Sequence, residues 1–224
     1  MQPRQLPLLW MMTDERQGVA LWAALHRLPA GSGVVFRHRT LPDGERRRLF
    51  EQVRRIAHRR GLILLLAGDE GEARRWGADG AHHRRPGPPR AGTAPAHDLR
   101  EIRAAERSGA MALFLSPLHS TRSHPGTPAL GRMRFAALAR ATRLPVIALG
   151  GVDGRRGRAA VAVGAHGWAA IDAWMCVDER HPCGGRGPCL SSARYRPRRE
   201  QRWMPAFAGM TSNQKAKSRP DVRI

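Results

Sequence analysis

The sequence predicts a (β/α)8 barrel over residues 1–174, the fold in which eight parallel strands, with helices between them, close into a cylinder. Two observations lead to this fold. Eight short apolar runs alternate with stretches of helical periodicity, and most of the runs are continuously hydrophobic, as strands buried on both faces are. Glycines that would stop a helix follow several of the helical stretches, at Gly61, Gly77, Gly109 and Gly164. A doubly wound open sheet is the alternative.

The predicted strands are the apolar runs that are too short to be helices. In chain order they are Pro7–Met12, Gly33–Arg37, Leu62–Ala67, Gly80–His83, Thr93–Ala96, Ala110–Ser116, Pro145–Leu149 and Gly167–Ile171. The predicted helices lie between them, at Ala20–Arg27, Asp43–Arg59, Glu70–Trp76, Asp98–Ser108, Met133–Thr142 and Gly154–Val163. A barrel of 174 residues is compact. Its eighth helix would have to come from beyond residue 174, so it is either missing or supplied by the following segment.

The composition of the chain changes at residue 175. Segments rich in Pro and Gly, a basic run and a polar end replace the apolar periodicity. Such a sequence cannot bury enough apolar surface to fold alone, so we expect residues 175–224 to form a disordered basic tail. The three cysteines of the chain lie in this tail, at Cys176, Cys183 and Cys189. They include no CxxC pair and do not predict a zinc site. The stretch Trp203–Thr211 resembles translated repeat DNA, which favours a read-through origin for the tail.

The net charge of the chain is strongly positive, with 39 basic against 18 acidic residues and a formal value of +21. The basic residues are arginines except for Lys215 and Lys217, and they are spread along the whole length. This bias, with abundant Gly, Pro and Ala, is typical of a GC-rich coding sequence, whereas nucleic-acid-binding proteins concentrate basic residues on one face. A small-molecule partner is therefore favoured, and a basic nucleic-acid-associated protein is the weakest of the open alternatives.

The apolar runs predict neither a membrane span nor a signal peptide. The longest, Leu62–Ala67, is far shorter than the ~20 residues that a spanning helix requires. The N-terminal run Leu6–Met12 is followed at once by Thr13-Asp14-Glu15-Arg16, without a small-residue cleavage site. We therefore expect a cytoplasmic protein with no membrane partner.

Six segments at predicted strand ends form a series of motifs: Leu9–Asp14, Val34–Arg39, Gly77–His82, Ser116–Gly126, Pro145–Val152 and Val163–Gly167. In this order and spacing the series resembles the thiamine phosphate synthase/TenI superfamily. That family shows Tyr-x-Ile-Thr-Asp, Val-Gln-Leu-Arg-x-Lys, Gly-Ala-Asp-Gly-Val-His, Gly-Pro-Val-Phe-x-Thr-x-Ser/Thr-Lys and Ala-Ile-Gly-Gly-Ile. The resemblance covers about residues 6–174.

The resemblance implies a TIM barrel that acts on small thiamine precursors in thiamine biosynthesis. The synthases of the family are transferases that join hydroxymethylpyrimidine diphosphate to thiazole phosphate and release pyrophosphate. Arg37 matches the diphosphate-binding arginine of the family, and Arg39 stands at the position of its lysine. Gly151, next to Gly150, matches the glycine whose amide holds the thiazole phosphate. Thr121 matches the threonine after the Gly-Pro-Val-Phe segment and is a further candidate for phosphate binding.

Several positions that bind diphosphate or Mg²⁺ in the family hold other residues here. Val35 replaces a glutamine, and the family's Asn-Asp pair reads Ala67-Gly68-Asp69, so that Asp69 can be a metal ligand only if the register shifts by one. The second metal aspartate falls in the segment 83–87, which has no carboxylate. We therefore expect an anion site that requires no cofactor, with Mg²⁺ implied by the resemblance alone. Asp172 replaces a phosphate-binding serine, and its carboxylate would either repel a phosphate or turn to an arginine.

Two other functions are open. The TenI branch of the family tautomerises the thiazole by proton transfer and needs no metal, and its characteristic histidine falls on Pro117 here. His119 and His124 lie close by, and a histidine suits proton transfer near neutral pH. His124 also stands at the position of a diphosphate-binding lysine. The other possibility is a catalytically silent member of the family that binds a phosphorylated ligand.

Overall fold

Eight parallel strands close into a barrel, as the sequence predicts. The computed structural model describes residues 4–83, 92–121, 126, 128–175 and 202–203. Each barrel strand pairs with the next one along the chain, and the last pairs with the first, so the doubly wound alternative is wrong.

The strands and helices lie within two residues of their predicted bounds. The barrel strands are β2 (Leu9–Met12), β3 (Gly33–Phe36), β4 (Ile63–Leu66), β5 (Gly80–His82), β6 (Gly92–Ala96), β7 (Ala112–Leu115), β8 (Val146–Ala148) and β9 (Gly167–Ala170). The helices are α1 (Ala20–Arg27), α2 (Asp43–Arg60), α3 (Glu70–Trp76), α4 (Leu99–Arg107), α5 (Gly131–Arg140) and α6 (Gly154–Ala162). Three helices begin at an aspartate whose carboxylate accepts a backbone N–H of the first turn: Asp69, Asp98 and Asp153. None of the described helices is long and apolar enough to cross a membrane.

The strand side chains divide into an inner and an outer layer, because successive residues of a strand face opposite sides. On β2 and β3, for example, Trp10, Met12 and Val35 pack inside the barrel, whereas Met11 and Val34 pack against the surrounding helices. The inner layer is filled with apolar side chains from seven segments, so the barrel has a solid core and is open only at its mouth.

The seam between the first and last barrel strands is covered by tryptophans. β9 pairs with β2 in parallel, with Trp10 opposite Ala169. A short 3₁₀ helix, Asp172–Trp174, follows β9, and the indole of Trp174 stacks on Trp168 at 5.4 Å. The indole nitrogen of Trp174 donates a hydrogen bond to the carbonyl of Trp10 at 3.2 Å. Up to residue 175, this turn takes the place of an eighth helix.

Two residues of the tail differ from the prediction of disorder. Arg202–Trp203 forms a strand, β10, which pairs antiparallel with β1 (Arg4–Gln5) ahead of the first barrel strand. A sequence scan for apolar periodicity misses a pair this short. The rest of the predicted tail, 176–201 and 204–224, lies outside the described residues.

We expect the barrel to remain folded when residues 176–224 are removed, because the described tail contributes only the two-residue pair with β1. Truncation after Met175 should lower the free energy of unfolding by less than ~2 kcal/mol. Trp174→Ala in the full chain is the control, since Trp174 is only 3% exposed, and should cost about 3–5 kcal/mol. Urea unfolding followed by circular dichroism measures both. A larger decrease in the free energy of unfolding on truncation would show that the tail supplies the eighth helix of the barrel.

Candidate functional site

The carboxyl ends of the strands form the mouth of the barrel, where (β/α)8 proteins hold their binding residues. Four apolar side chains of the inner cluster lie at this end: Met12, Ala67, Leu149 and Ile171. They form an apolar floor, and the polar and charged side chains of the strand ends surround it.

Four alternating charges follow one another along the rim from β3 to the end of β9. Arg37 Nη1 lies 3.9 Å from Asp14 Oδ2, and Asp14 Oδ1 lies 2.6 Å from Arg16 Nε. Arg16 Nη2 lies in turn 3.9 Å from Asp172 Oδ1. The carboxylate of Asp172 therefore turns toward an arginine, which is one of the two outcomes expected from the sequence.

Asp14 is fixed by the turn that it begins. It caps the short 3₁₀ helix Glu15–Gln17 and accepts the backbone N–H of Arg16, while the Gln17 side chain accepts the backbone N–H of Asp14. Burial alone would raise the pKa of the Asp14 carboxyl, but the hydrogen bonds from Arg16 and the charges of Arg16 and Arg37 outweigh burial and lower it. Asp14 is therefore a carboxylate at neutral pH and holds both arginines.

Thr13 fixes the end of β3. Its hydroxyl oxygen accepts the backbone N–H of Arg37 at 2.9 Å and shares a hydrogen bond with Nδ1 of His38 at 3.0 Å. The ring of His38 stacks on Phe36 at 4.9 Å. Burial lowers the pKa of His38, although Glu15 and Asp14 oppose this, so the ring can accept the hydrogen bond as a neutral imidazole. These contacts fix the backbone from which Arg37 extends.

The sequence analysis did not identify Arg46 of α2, which is only 7% exposed. Its guanidinium donates to the carbonyls of Arg37 and Ala67, at the ends of β3 and β4, and pairs with Glu72 at 2.7 Å. It also lies over the ring of Trp76, 4.9 Å from the centroid. A signal was present in the sequence: Arg46 falls on the buried line of α2, with Phe50 four residues later.

His82, at the end of β5, is enclosed in the barrel. Its Nδ1 lies 2.8 Å from the hydroxyl of Thr93, and its ring contacts Phe114 edge-on at 4.9 Å. Burial, with smaller contributions from the charges of Arg39 and Arg37, lowers the pKa of His82 to about 3. The imidazole of His82 is therefore neutral at physiological pH and acts as a hydrogen-bonding group inside the barrel.

The loop after β8 packs against the loop after β7 so closely that only glycine fits. Gly150 and Gly151 have φ of 95° and 60°, and a Cβ on Gly151 would lie 2.5 Å from the carbonyl oxygen of Ser120. His119 donates its backbone N–H to the carbonyl of Gly150 at 3.0 Å, which places its side chain beside Gly151. Burial, followed by the charge of Arg156, lowers the pKa of His119.

The predicted site residues fall at two separate places on the rim. Arg37 and Arg39 follow β3, whereas Gly150 and Gly151 follow β8. β9 and β2 lie between these strands, so the two places are three strand spacings apart, about 14 Å along the rim. Within the described residues the amides of Gly150 and Gly151 donate no hydrogen bond. Thr121 lies in the loop between β7 and α5, and His124 lies outside the described residues.

The described residues do not fit a Mg²⁺ site. Asp69 uses Oδ1 to accept the backbone N–H of Glu72 at 2.7 Å as the cap of α3, and the Glu72 carboxylate pairs with Arg46. Within the described part of the chain, no three side chains of His, Cys, Asp or Glu come together in a way that could hold a metal ion. Asp69 as a metal ligand stays a prediction, and residues 84–91 lie outside the described ranges.

Comparison with known proteins shows which proteins the chain resembles. The model of the family described as "Thiamine monophosphate synthase" matches residues 91–174. A protein of Aquifex aeolicus (strain VF5), named "Putative thiamine-phosphate synthase 2", is 28% identical over 184 residues, which are 76% of this chain and 99% of that protein. Thiamine phosphate pyrophosphorylase from Pyrococcus furiosus superposes with a TM-score of 0.63 at 20% identity, over 77% of this chain and 89% of its own. These matches in sequence and in fold support the resemblance of this chain to the thiamine phosphate synthase/TenI superfamily.

The barrel fold also occurs in proteins that are named for other activities. The YdjI aldolase from Escherichia coli K12 superposes with a TM-score of 0.52 at 12% identity, over 74% of this chain and 75% of that one. The superfamily match at 91–174 contains β6 to β9, including Thr121, Gly150 and Gly151. Arg37, Arg39 and Asp69 lie ahead of that match.

We expect His82 to make the stability of the protein depend on pH. The unfolded chain takes up a proton at His82 below about pH 6.5, the ordinary pKa, whereas the folded chain does so only near 3. Stability from this residue is therefore complete above pH ~6.5 and falls as the pH drops toward 3, by about 1.4 kcal/mol at pH ~5.5. Urea unfolding at pH ~7.5 and ~5.5, for the native chain and for His82→Asn, measures this. If the free energy of unfolding depended on pH equally in the two proteins, His82 would not be the cause of the pH dependence.

Proposed function

We propose that this protein binds two phosphorylated thiamine precursors at the barrel mouth and joins them with release of pyrophosphate, as a thiamine phosphate synthase does. One observation carries the proposal. The rim has two places suited to anions. One is formed by Arg37 and Arg39 after β3, the arginine end, and the other by the amides of Gly150 and Gly151 after β8, the glycine end. The apolar floor lies between them. Two substrates that each carry phosphate at one end would place their rings over this floor.

The arginine end is suited to a departing pyrophosphate. As the bond between the pyrimidine methylene carbon and the diphosphate oxygen breaks, the electron pair and the negative charge go to the pyrophosphate. Arg37, whose backbone is held by Thr13, and the exposed Arg39 stand where that charge would develop. Since no step is assigned to a metal, these guanidinium groups supply the positive charge.

The glycine end is suited to a phosphate monoester. The amides of Gly150 and Gly151 have no other acceptor within the described residues, and α6 begins at Asp153, directly after this loop. Backbone N–H groups next to a helix N-terminus bind phosphate, because the helix dipole is positive there. The family match over 91–174 and the name of the Aquifex aeolicus relative support a thiazole phosphate at this end.

The position of His119 favours thiazole tautomerisation as a second function. The histidine is half-buried beside Gly151, and burial lowers its pKa, so it is neutral and able to accept a proton near pH 7. A thiazole whose phosphate is bound at the glycine amides would lie within reach of this loop. Tautomerisation requires only this end of the rim.

Incubation with both precursors, with and without Mg²⁺, tests the proposal by the release of pyrophosphate and the formation of thiamine phosphate. Conversion of the thiazole tautomer alone, abolished by His119→Ala, would favour the tautomerase. Binding of thiazole phosphate with neither reaction would identify a silent member of the family and contradict both activities.

We expect Arg37→Ala to weaken pyrophosphate binding by about 1.5–3 kcal/mol, the range for a hydrogen bond to a charged group. Isothermal titration calorimetry with pyrophosphate measures the change, in EDTA and in Mg²⁺. Arg134→Ala, at an exposed arginine of α5, is the matched control and should leave the affinity unchanged. Indifference to Arg37→Ala would rule out this site, and binding that requires Mg²⁺ would rule out a metal-free one.

We expect Asp172→Ser to strengthen the binding of thiazole phosphate, because it removes a negative charge next to the glycine end. Two like charges 4 Å apart repel by about 4 kcal/mol at an effective dielectric of 20, and the Arg16 guanidinium, 3.9 Å from Asp172, offsets part of this. The gain should therefore be larger in an Arg16→Gln background. Calorimetry on the four proteins of this double-mutant cycle measures it. The repulsion would be refuted if the native chain bound thiazole phosphate tightly and Asp172→Ser did not raise the affinity, either with Arg16 present or in the Arg16→Gln variant.

A further inference from the structure

Helix α2 has an arginine-rich face that points away from the barrel. The buried line of the helix runs through Arg46, Phe50, Val53 and Ala57. Three exposed arginines, Arg48, Arg55 and Arg59, each lie two residues beyond a member of that line, which is about 200° around the helix. We call these three residues the α2 arginine stripe.

Neighbouring carboxylates neutralise the stripe only in part. Within the described part of the chain, none of its three arginines forms an ion pair, since Glu51 pairs with Arg47. The charge of Arg55 also acts on Glu51, and its Nε donates to the backbone carbonyl of Glu51 at 3.4 Å. The exposed Arg54 and Arg60 flank the stripe and add to its charge. The guanidinium of Arg60 donates to the carbonyl of Leu28 at 3.0 Å. An excess of fixed positive charge along one line is the electrostatic footprint of a polyanion-binding face.

We propose that the α2 arginine stripe binds the phosphodiester backbone of nucleic acid. Along a helix, Arg48 and Arg55 are about 10 Å apart and Arg55 and Arg59 about 6 Å. These separations are of the same order as those between nearby phosphates of one strand, which advances ~3.4 Å per nucleotide along the duplex axis. The planar guanidinium is suited to this contact, because it donates two parallel hydrogen bonds to a phosphate.

An anionic membrane is the less suitable partner for this face. A helix that lies on a bilayer buries an apolar face in it. The large apolar side chains that the described structure exposes are Val19, Leu99 and Met133, and none of them is on α2. The arginines are spread along the sequence, as the sequence analysis noted, but those of α2 come together on one face because their spacing follows the helical period.

Fluorescence anisotropy with a labelled oligonucleotide, single-stranded and as a duplex, tests this proposal on the full chain. Native protein should bind both without sequence preference, with a dissociation constant of roughly 10⁻⁴–10⁻⁶ M at physiological salt and tighter in low salt. The variant Arg48→Gln/Arg55→Gln/Arg59→Gln should weaken binding at least about tenfold and reduce the slope of log K against log salt by about 2–3.

The matched control removes the same charge from the opposite side of the barrel. α5 follows β7, four strands away from β3, which α2 follows, and Arg134, Arg140 and Arg143 are exposed there. Their triple Gln variant should retain the affinity within about twofold. Arg→Lys at the three stripe positions should retain binding as well, since the charge remains. Equal melting temperatures of all variants show that the fold is intact.

Three results would overturn the proposal. An equal loss of oligonucleotide affinity in the α2 and α5 triple variants would mean that only the net charge of the protein attracts the oligonucleotide. If the native chain did not bind either oligonucleotide in low salt, the proposed interaction would not exist. Preference for vesicles that contain phosphatidylserine over both oligonucleotides, lost in the α2 variant, would assign the stripe to a membrane surface. None of these results depends on the reaction at the barrel mouth.

Discussion

Closure of the barrel by β9 against β2 is the constraint on which the site depends. The rim charges Asp14 and Asp172 come from opposite ends of the described barrel, and only the pairing of the first and last strands brings them to either side of Arg16. Gln17 contributes to this seam, since its side-chain amide donates to the carbonyls of Met12 and Ile171. A chain that failed to close would separate the arginines after β3 from the glycine pair after β8.

The charges at the mouth are arranged so that they largely cancel between β2 and β9. Asp14 lies between Arg37 and Arg16, and Asp172 lies on the far side of Arg16. The exposed Arg39 lies beyond this series, next to Thr40, whose backbone N–H and hydroxyl donate to the carboxylate of Glu15. Buried Arg46 adds no charge to the mouth, because Glu72 pairs with it and its other donors hold backbone carbonyls. The place after β3 therefore offers guanidinium groups with carboxylates close by, and the place after β8 offers mainly backbone amides.

The two halves of the barrel differ in how closely they follow the superfamily. The match over 91–174 includes the glycine pair after β8, where close packing against Ser120 leaves no room for a side chain. In the first half, Asp69 is used as a helix cap, and the inward Val35 is part of the apolar core. Departures from the family motifs therefore occur in both halves, at Val35 and Asp69 in the first and at Pro117 and Asp172 in the second, while the glycine pair after β8 is retained.

The sequence by itself determined the barrel strands and the described helices, because buried parallel strands and amphipathic helices have different periods and alternate along most of the barrel. It also identified Arg37, Gly150 and Gly151 as strand-end residues, since each directly follows an apolar run. Only the tertiary structure decided that the arginines and the glycines lie at separate places and that Arg46 supports the rim. Strand order, closure and burial join residues distant in sequence, and the local pattern around each residue does not contain that information.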